Sequence, residues 1–360
     1  MKILILGGTG AMGRYLIELL ASQGYSVDVT TRQDLKSEKL NVTYIRGNAH
    51  DLFFLENLLK KSYDVIVDFM VYNQKEFKER VDIFLSATKH YIFLSSSRVY
   101  SNDNIITEKT MRLLESIKDQ DYLLTDEYAL SKARQEDLLE KSGKQNWTIV
   151  RPYITYSDER LQMGVYEKEN WLYRGLQGKT IIFPKDVSEK YTTLTYGYDV
   201  AKVILNLIGN NKALGKSVHI TTSESLLWKD IIDIYSKIIE KRLGQKLKIK
   251  FSEDLEGISK VLNCKYQLKY DRLFNRQFDN SLIDKIIGEK IKYTKVEEGL
   301  TICLDNFLIN KKKFKDINWK FEGYQDRIAN EKTNIMEIKG VKNKIKYFLY
   351  RYFPLKFNSN

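Results

Sequence analysis

A doubly wound parallel α/β sheet followed by a smaller mixed α/β lobe is the fold class this sequence predicts. Three observations carry it. Short apolar runs alternate with helical patterns through the first 150 residues. Two of those runs, DVIVDF and YIFLS, are apolar almost throughout, as strands covered on both faces are. A glycine-rich turn joins the first run to the first helical pattern. Strands alternating with helices imply a parallel sheet with helices on both sides.

Residues 2–6 read as the first strand, and 12–22 as a helix with Leu16, Leu19 and Leu20 on one face. Further strands are expected at 27–31, 42–45, 64–69, 91–95 and 147–151, with a helical stretch at 126–141. After Pro152 loops and helices dominate, with one clear helix near 228–241. The expected organisation is a Rossmann-type dinucleotide-binding domain over 1–152, to which late strands return from 190–222. A substrate lobe over 153–310 and a basic, aromatic appendage over 311–360 follow.

Composition narrows the function classes. Hydrophobic residues make up 43% and charged residues 29%, an ordinary globular balance. The two cysteines, Cys264 and Cys303, and the three histidines are scattered, so no metal site is expected. The apolar run at the N-terminus is only Ile3 to Leu6, and no stretch approaches the roughly 18 apolar residues that span a bilayer. A cytoplasmic enzyme is expected. Net charge is +12, but 311–360 alone holds 13 Lys/Arg against 5 Asp/Glu. The body is therefore close to balance and lacks a polyanion footprint, so nucleic acid is not an expected partner.

The turn after the first strand is Gly7-Gly8-Thr9-Gly10-Ala11-Met12-Gly13. Glycines at 7, 10 and 13 permit a tight turn, close approach of a pyrophosphate, and close packing of helix on strand. The helix N-terminus adds oriented N–H groups. Gly7, Thr9, Gly10, Ala11, Met12 and Gly13 are thus candidate dinucleotide contacts. The second strand ends in Thr31-Arg32, and Asp28 lies too early to bind a ribose 2′-hydroxyl. A guanidinium suits a 2′-phosphate, so NADP(H) is favoured, with NAD(H) the alternative and Arg32 then a solvated loop residue.

Tyr128 and Lys132 stand four apart on the expected helix, hence on one face. An ammonium beside a phenol favours the phenolate. Such a tyrosine exchanges a proton with a carbonyl or hydroxyl oxygen. Tyr198/Lys202 and Tyr352/Lys356 share the spacing but lack the setting. Only Tyr128 follows a serine cluster, Ser95-Ser96-Ser97, at the end of the fifth strand.

These motifs resemble the extended short-chain dehydrogenase/reductases, the nucleotide-sugar epimerases, dehydratases and reductases. The likeness covers about the first 310 residues: Gly7/Gly10/Gly13, Ser95 to Tyr100, Tyr128/Lys132, Arg151-Pro152 and Tyr198-Asp199-Val200-Ala201, with closing motifs at 276–281 and 296–300. The resemblance implies Ser96, Tyr128 and Lys132 as catalytic residues. It extends the cofactor contacts to Asn48, Ala49, Phe69, Met70, Val71, Pro152 and Tyr153. Asn48 stands where the family has an acid, and Ser96-Ser97-Arg98 replaces the dehydratases' Thr-Asp-Glu. The floor motif after Arg-Pro reads Ile154-Thr155-Tyr156-Ser157. The segment 171–184 is similar to an atypical branch with plant RNA-binding members, which generally lack an intact active site.

The function this implies is NADPH-dependent reduction of a nucleoside-diphosphate-linked 4-keto sugar. The alternatives are a nucleotide-sugar 4-epimerase with retained NAD and a catalytically idle NADP/RNA-binding protein. Ser97, Tyr100, Tyr156, Arg174 and Arg276 are candidate substrate contacts, and a homodimer is expected. The tail, 339–357, mixes lysines with aromatics. It reads either as a helix on an anionic membrane surface or as one docked on the body or a neighbouring subunit.

Overall fold

The computed structural model describes residues 1–310 and 313–353 and divides them into two compact units. The first comprises Met1–Ser157, Thr193–Glu224 and Gln277–Val296. It holds a seven-stranded sheet of β1 (Lys2–Leu6), β2 (Ser26–Thr31), β3 (Val42–Arg46), β4 (Tyr63–Asp68), β5 (Thr88–Leu94), β6 (Trp147–Pro152) and β7 (Lys216–Ile220). The order is β7-β6-β5-β4-β1-β2-β3, and every pairing is parallel. The chain thus winds outward from β1 in both directions, as in a Rossmann fold.

The continuous apolar runs have a direct explanation. Successive strand residues face opposite sides, and each side here has its own core. Ile3, Ile5, Val65, Val67, Ile92 and Val150 enter one core, packed under α1 (Gly13–Ser22). Leu4, Leu6, Ile66, Tyr91, Phe93 and Ile149 enter the other, under α2 (Leu52–Leu59) and α3 (Gln74–Ser86). α3 begins with a capping box of Asn73 and Glu76. The helix carrying the expected Tyr/Lys pair, α4, runs Tyr128–Glu140 and packs on α3.

The second unit comprises Asp158–Thr192, Ser225–Arg276 and Glu297–Asn360. It contains α5 (Lys168–Leu176) and a two-stranded parallel ribbon, Thr180–Pro184 with Lys248–Ser252. The helix α6 (Gly197–Leu207) belongs to the first unit, and α7 (Trp228–Leu243) to the second. Two C-terminal helices, α8 (Trp319–Ala329) and α9 (Val341–Tyr352), pack against each other. The segment 277–296, expected in the substrate lobe, lies in the first unit. The expected appendage contributes α8 and α9 to the second unit. The end of the tail reading, 354–357, lies outside the described residues.

Candidate active site

The phosphate loop is built for close approach. Gly7 has φ of +67°, the left-handed region where glycine is at home. A Cβ on Gly13 would stand 2.3 Å from the Gly8 carbonyl oxygen, so only glycine lets α1 close on the loop. A Cβ on Gly10 would meet nothing within 4 Å, so the tip of the loop is open. Met12, the N-cap of α1, supplies no side-chain acceptor. The Arg14 N–H donates to the Gly10 carbonyl at 3.3 Å, and the positive end of the α1 dipole, without a side-chain cap, is the end that favours an anion. The loop fits a dinucleotide pyrophosphate. Gly13→Ala is expected to abolish dinucleotide binding and lower the melting temperature, read by fluorescence titration and thermal melt.

At the end of β2, Thr31 is buried and its Oγ1 accepts the Gln33 N–H at 3.1 Å. Arg32 is exposed. Asp28 is occupied by the Tyr63 hydroxyl at 2.7 Å, which leaves no carboxylate at the strand end. Asn48 is exposed, and its Oδ1 accepts the His50 N–H in its own turn. The Ala49 carbonyl accepts from the Tyr72 hydroxyl at 3.3 Å.

The serines at the end of β5 divide sharply. Ser95 donates to Glu136 at 2.5 Å, and Ser97 donates to the Arg151 carbonyl at 2.7 Å. Both hydroxyl protons are thereby consumed. Ser96 Oγ accepts the Arg98 N–H at 3.2 Å, capping the turn Ser97–Val99, and its own O–H is left to donate. Ser97, expected among substrate contacts, is fully buried and holds β5 to β6 instead.

Tyr128 opens α4, whose N-cap Glu127 accepts the Ala129 N–H at 2.8 Å. Arg98 donates to Glu127 and lies 5.4 Å above the Tyr128 ring centre. The guanidinium thus meets the negative face of the ring in a cation–π contact. One turn on, Lys132 is 1% exposed and donates to the Met70 carbonyl at 3.4 Å. Met70 in turn flanks the phosphate loop: a Cβ on Gly7 would lie 2.8 Å from its sulfur. The loop, Met70 and Lys132 are thus contiguous at the C-terminal ends of β1 and β4.

Sequence reasoning missed Asp68, the last residue of β4. It is fully buried, accepts the Tyr91 hydroxyl at 2.6 Å and accepts the Met70 N–H at 2.9 Å. Burial pushes its carboxyl up to about 6, against the pull of Tyr91, Met70 and Lys132. Burial likewise pulls Lys132 down to about 8, against the pull of Asp68 and Glu136. Burial favours the neutral form of each, and the charge of each opposes that shift in the other. The signal in the sequence was an acid ending an otherwise apolar strand.

A second buried network fixes the frame. Glu136, on α4, takes a bidentate pair from Arg151 on β6, both bonds 2.8 Å. Burial alone would raise Glu136, and the Arg151 guanidinium overrides it and holds the carboxyl below the ordinary range. Arg151 also donates to the Tyr100 hydroxyl at 3.0 Å.

The remaining substrate candidates are corrected by burial. Tyr100 is fully buried on Arg151 and His219. Tyr156 is fully buried and stacks on Tyr196, ring centres 5.5 Å apart. Arg276 is fully buried, with its Nε on Asp271 and another nitrogen on the Tyr270 carbonyl. Arg174 is fully buried among Glu322, Asp326 and Glu331. None of these side chains faces solvent. Tyr153 is buried against Phe278. Ile154, next in line, has φ of +28°, a strained setting for a β-branched residue. Phe69 and Met70 are partly buried, and Val71 is exposed.

The chain is 27% identical over 230 residues to the chloroplast stem-loop binding protein of 41 kDa b of Arabidopsis thaliana, covering 59% of this chain and 56% of that protein. It thus spans little more than half of that relative. It is 21% identical over 327 residues to the bifunctional pinoresinol-lariciresinol reductase of Forsythia intermedia, covering 83% of this chain and 97% of that one. Among solved structures it resembles a UDP-glucuronic acid 4-epimerase from Bacillus cereus in complex with NAD. There the TM-score is 0.66 at 16% identity, covering 87% of this chain and 100% of that one. The neighbour agrees with the Rossmann fold. With residues 1–300 matching it, the chain belongs to the NmrA-like family.

Proposed function

We propose that the protein is an NADP(H)-dependent reductase of a nucleoside-diphosphate-linked 4-keto sugar, working through Ser96, Tyr128 and Lys132. One observation carries the chemistry. Buried Lys132, one turn from Tyr128, bonds the carbonyl of Met70, the residue that borders Gly7 of the phosphate loop. The Tyr/Lys pair and the loop therefore share the C-terminal edge of the parallel sheet, where such folds bind ligands.

A bound nicotinamide supplies the hydride. Ser96 donates to the substrate carbonyl oxygen and orients it. Tyr128 gives that oxygen its proton as negative charge develops there. Lys132, whose charge Asp68 favours, stabilises the phenolate that remains. Reduction is expected to fall as pH rises through about 8, where Lys132 loses its proton. Asp68 opposes that loss, so Asp68→Asn is expected to move the descending limb to lower pH. A kcat/KM–pH profile of both proteins reads this, and an unmoved limb rejects the role of Asp68.

Thr31-Arg32 supports NADP(H), and the match along a plant reductase supports net reduction. The nucleotide-sugar part rests on the motif resemblance and on the epimerase neighbour. Neither Arg174 nor Arg276 is available to a diphosphate. A 4-epimerase that retains NAD is the second reading, favoured by that same neighbour. The test is to denature the purified protein, identify any released dinucleotide, and titrate with NADPH and NADH. Tighter NADPH binding, then turnover of a 4-keto nucleotide sugar, supports the reductase. Retained NAD favours the epimerase, and no dinucleotide binding rejects both.

A further inference from the structure

The helix α9 has two unlike faces. On one, Tyr347 is buried: its hydroxyl donates to Asp326 at 2.7 Å and accepts the Thr333 N–H at 2.8 Å. Gly323 on α8 permits the close approach, since a Cβ there would lie 2.5 Å from the Tyr347 carbonyl oxygen. These contacts set the rotation of α9 about its axis. They leave Val341, Ile345, Phe348, Leu349 and Tyr352 outward, each between 46 and 74% exposed. At helical spacing these five share an arc of roughly 100°. Ile335 and Met336, in the preceding turn, are exposed as well.

Charge frames the stripe. By position on the helix, Lys342 and Lys346 border it on one side and Lys344 on the other. The span 332–353 holds six Lys/Arg and one acid, Glu337. An apolar arc with cationic borders is the pattern of a helix lying in a bilayer interface. No helix among the described residues is long and apolar enough to cross a membrane. A second copy of the chain fits poorly, because a two-fold contact would set these lysines against themselves. A nucleic acid fits poorly too, because its phosphates would meet an apolar centre.

We propose that α9 seats the protein on an anionic lipid surface, with Ile345, Phe348 and Leu349 inserted and Lys342, Lys344 and Lys346 at headgroup level. This goes beyond the reductase reading and stands without it.

The test is co-sedimentation of the full chain with vesicles of equimolar phosphatidylcholine and phosphatidylglycerol, and with vesicles of phosphatidylcholine alone. Binding is expected to the mixed vesicles and to weaken with salt. Ile345→Glu with Phe348→Glu is expected to lower it roughly tenfold or more, whereas Phe348→Leu retains it. Both side chains concerned, Ile345 and Phe348, are solvent-facing, so melting temperature and NADPH affinity should stay unchanged and report folding. Equal sedimentation of the double variant overturns the proposal. So does absence of vesicle binding accompanied by loss of a dimer in the double variant, which assigns the face to a second copy. Vesicle binding absent while an RNA hairpin binds through α9 overturns it as well.

Discussion

Tyr128→Phe is expected to lower turnover roughly a hundred to ten thousand fold, with NADPH affinity unchanged. The ring remains under Arg98, so packing at the start of α4 survives and only the hydroxyl is lost. Single-turnover kinetics with bound NADPH isolates the step. A variant that keeps even a third of the rate removes Tyr128 from the chemistry. Ser96→Ala is a graded companion: it removes a donor that orients the oxygen but leaves Tyr128 in place.

Arg174→Met tests stability in the second unit. Arg174 donates to Glu322 at 3.0 Å, Asp326 at 2.7 Å and Glu331 at 2.6 Å, and is itself fully buried. Removing one partner of a buried ion pair leaves uncompensated charge and costs about 3–5 kcal/mol. In a protein of this size the melting temperature should fall on the order of 10 °C. Burial pushes Glu322 up to about 7, against the pull of Arg174. A raised carboxyl contributes stability that is full below its unfolded range and is lost as pH rises through its folded value. The wild type should therefore lose stability from about pH 4.5 to 7 through this group, and Glu322→Gln should flatten that slope. An unchanged slope refutes the assignment.

The strands of the first half were legible because each feeds two cores and so reads as an unbroken apolar run. β7 was legible only as part of the return of late strands from 190–222, because KSVHI is short and lies at the sheet edge, and only its last three residues are buried. Ser96, Tyr128 and Lys132 could be singled out as candidates because their motifs are local. The partners that tune them were not, since Asp68 and Lys132 meet only when β4 and α4 pack. Arginine misled for the same reason. Arg174 was read as a candidate substrate contact because its acidic partners lie some 150 positions later in the chain. A lone arginine in a sequence carries no mark of whether its counterion is a ligand or a distant helix.

Gly197 carries a consequence for how the protein is made. A Cβ there would lie 2.7 Å from the Ala11 carbonyl oxygen, so α6 completes the wall of the phosphate loop from far along the chain. α6 also supplies Val200, Val203, Ile204 and Leu207 to the core under α1. During synthesis at about 5–20 residues per second, the loop waits roughly 10–40 s for that wall. Throughout that interval the nascent chain presents an apolar sheet face that α1 covers only in part. Ribosome-bound chains that stop short of α6 should recruit a hydrophobic holdase, and chains that extend past it should release one.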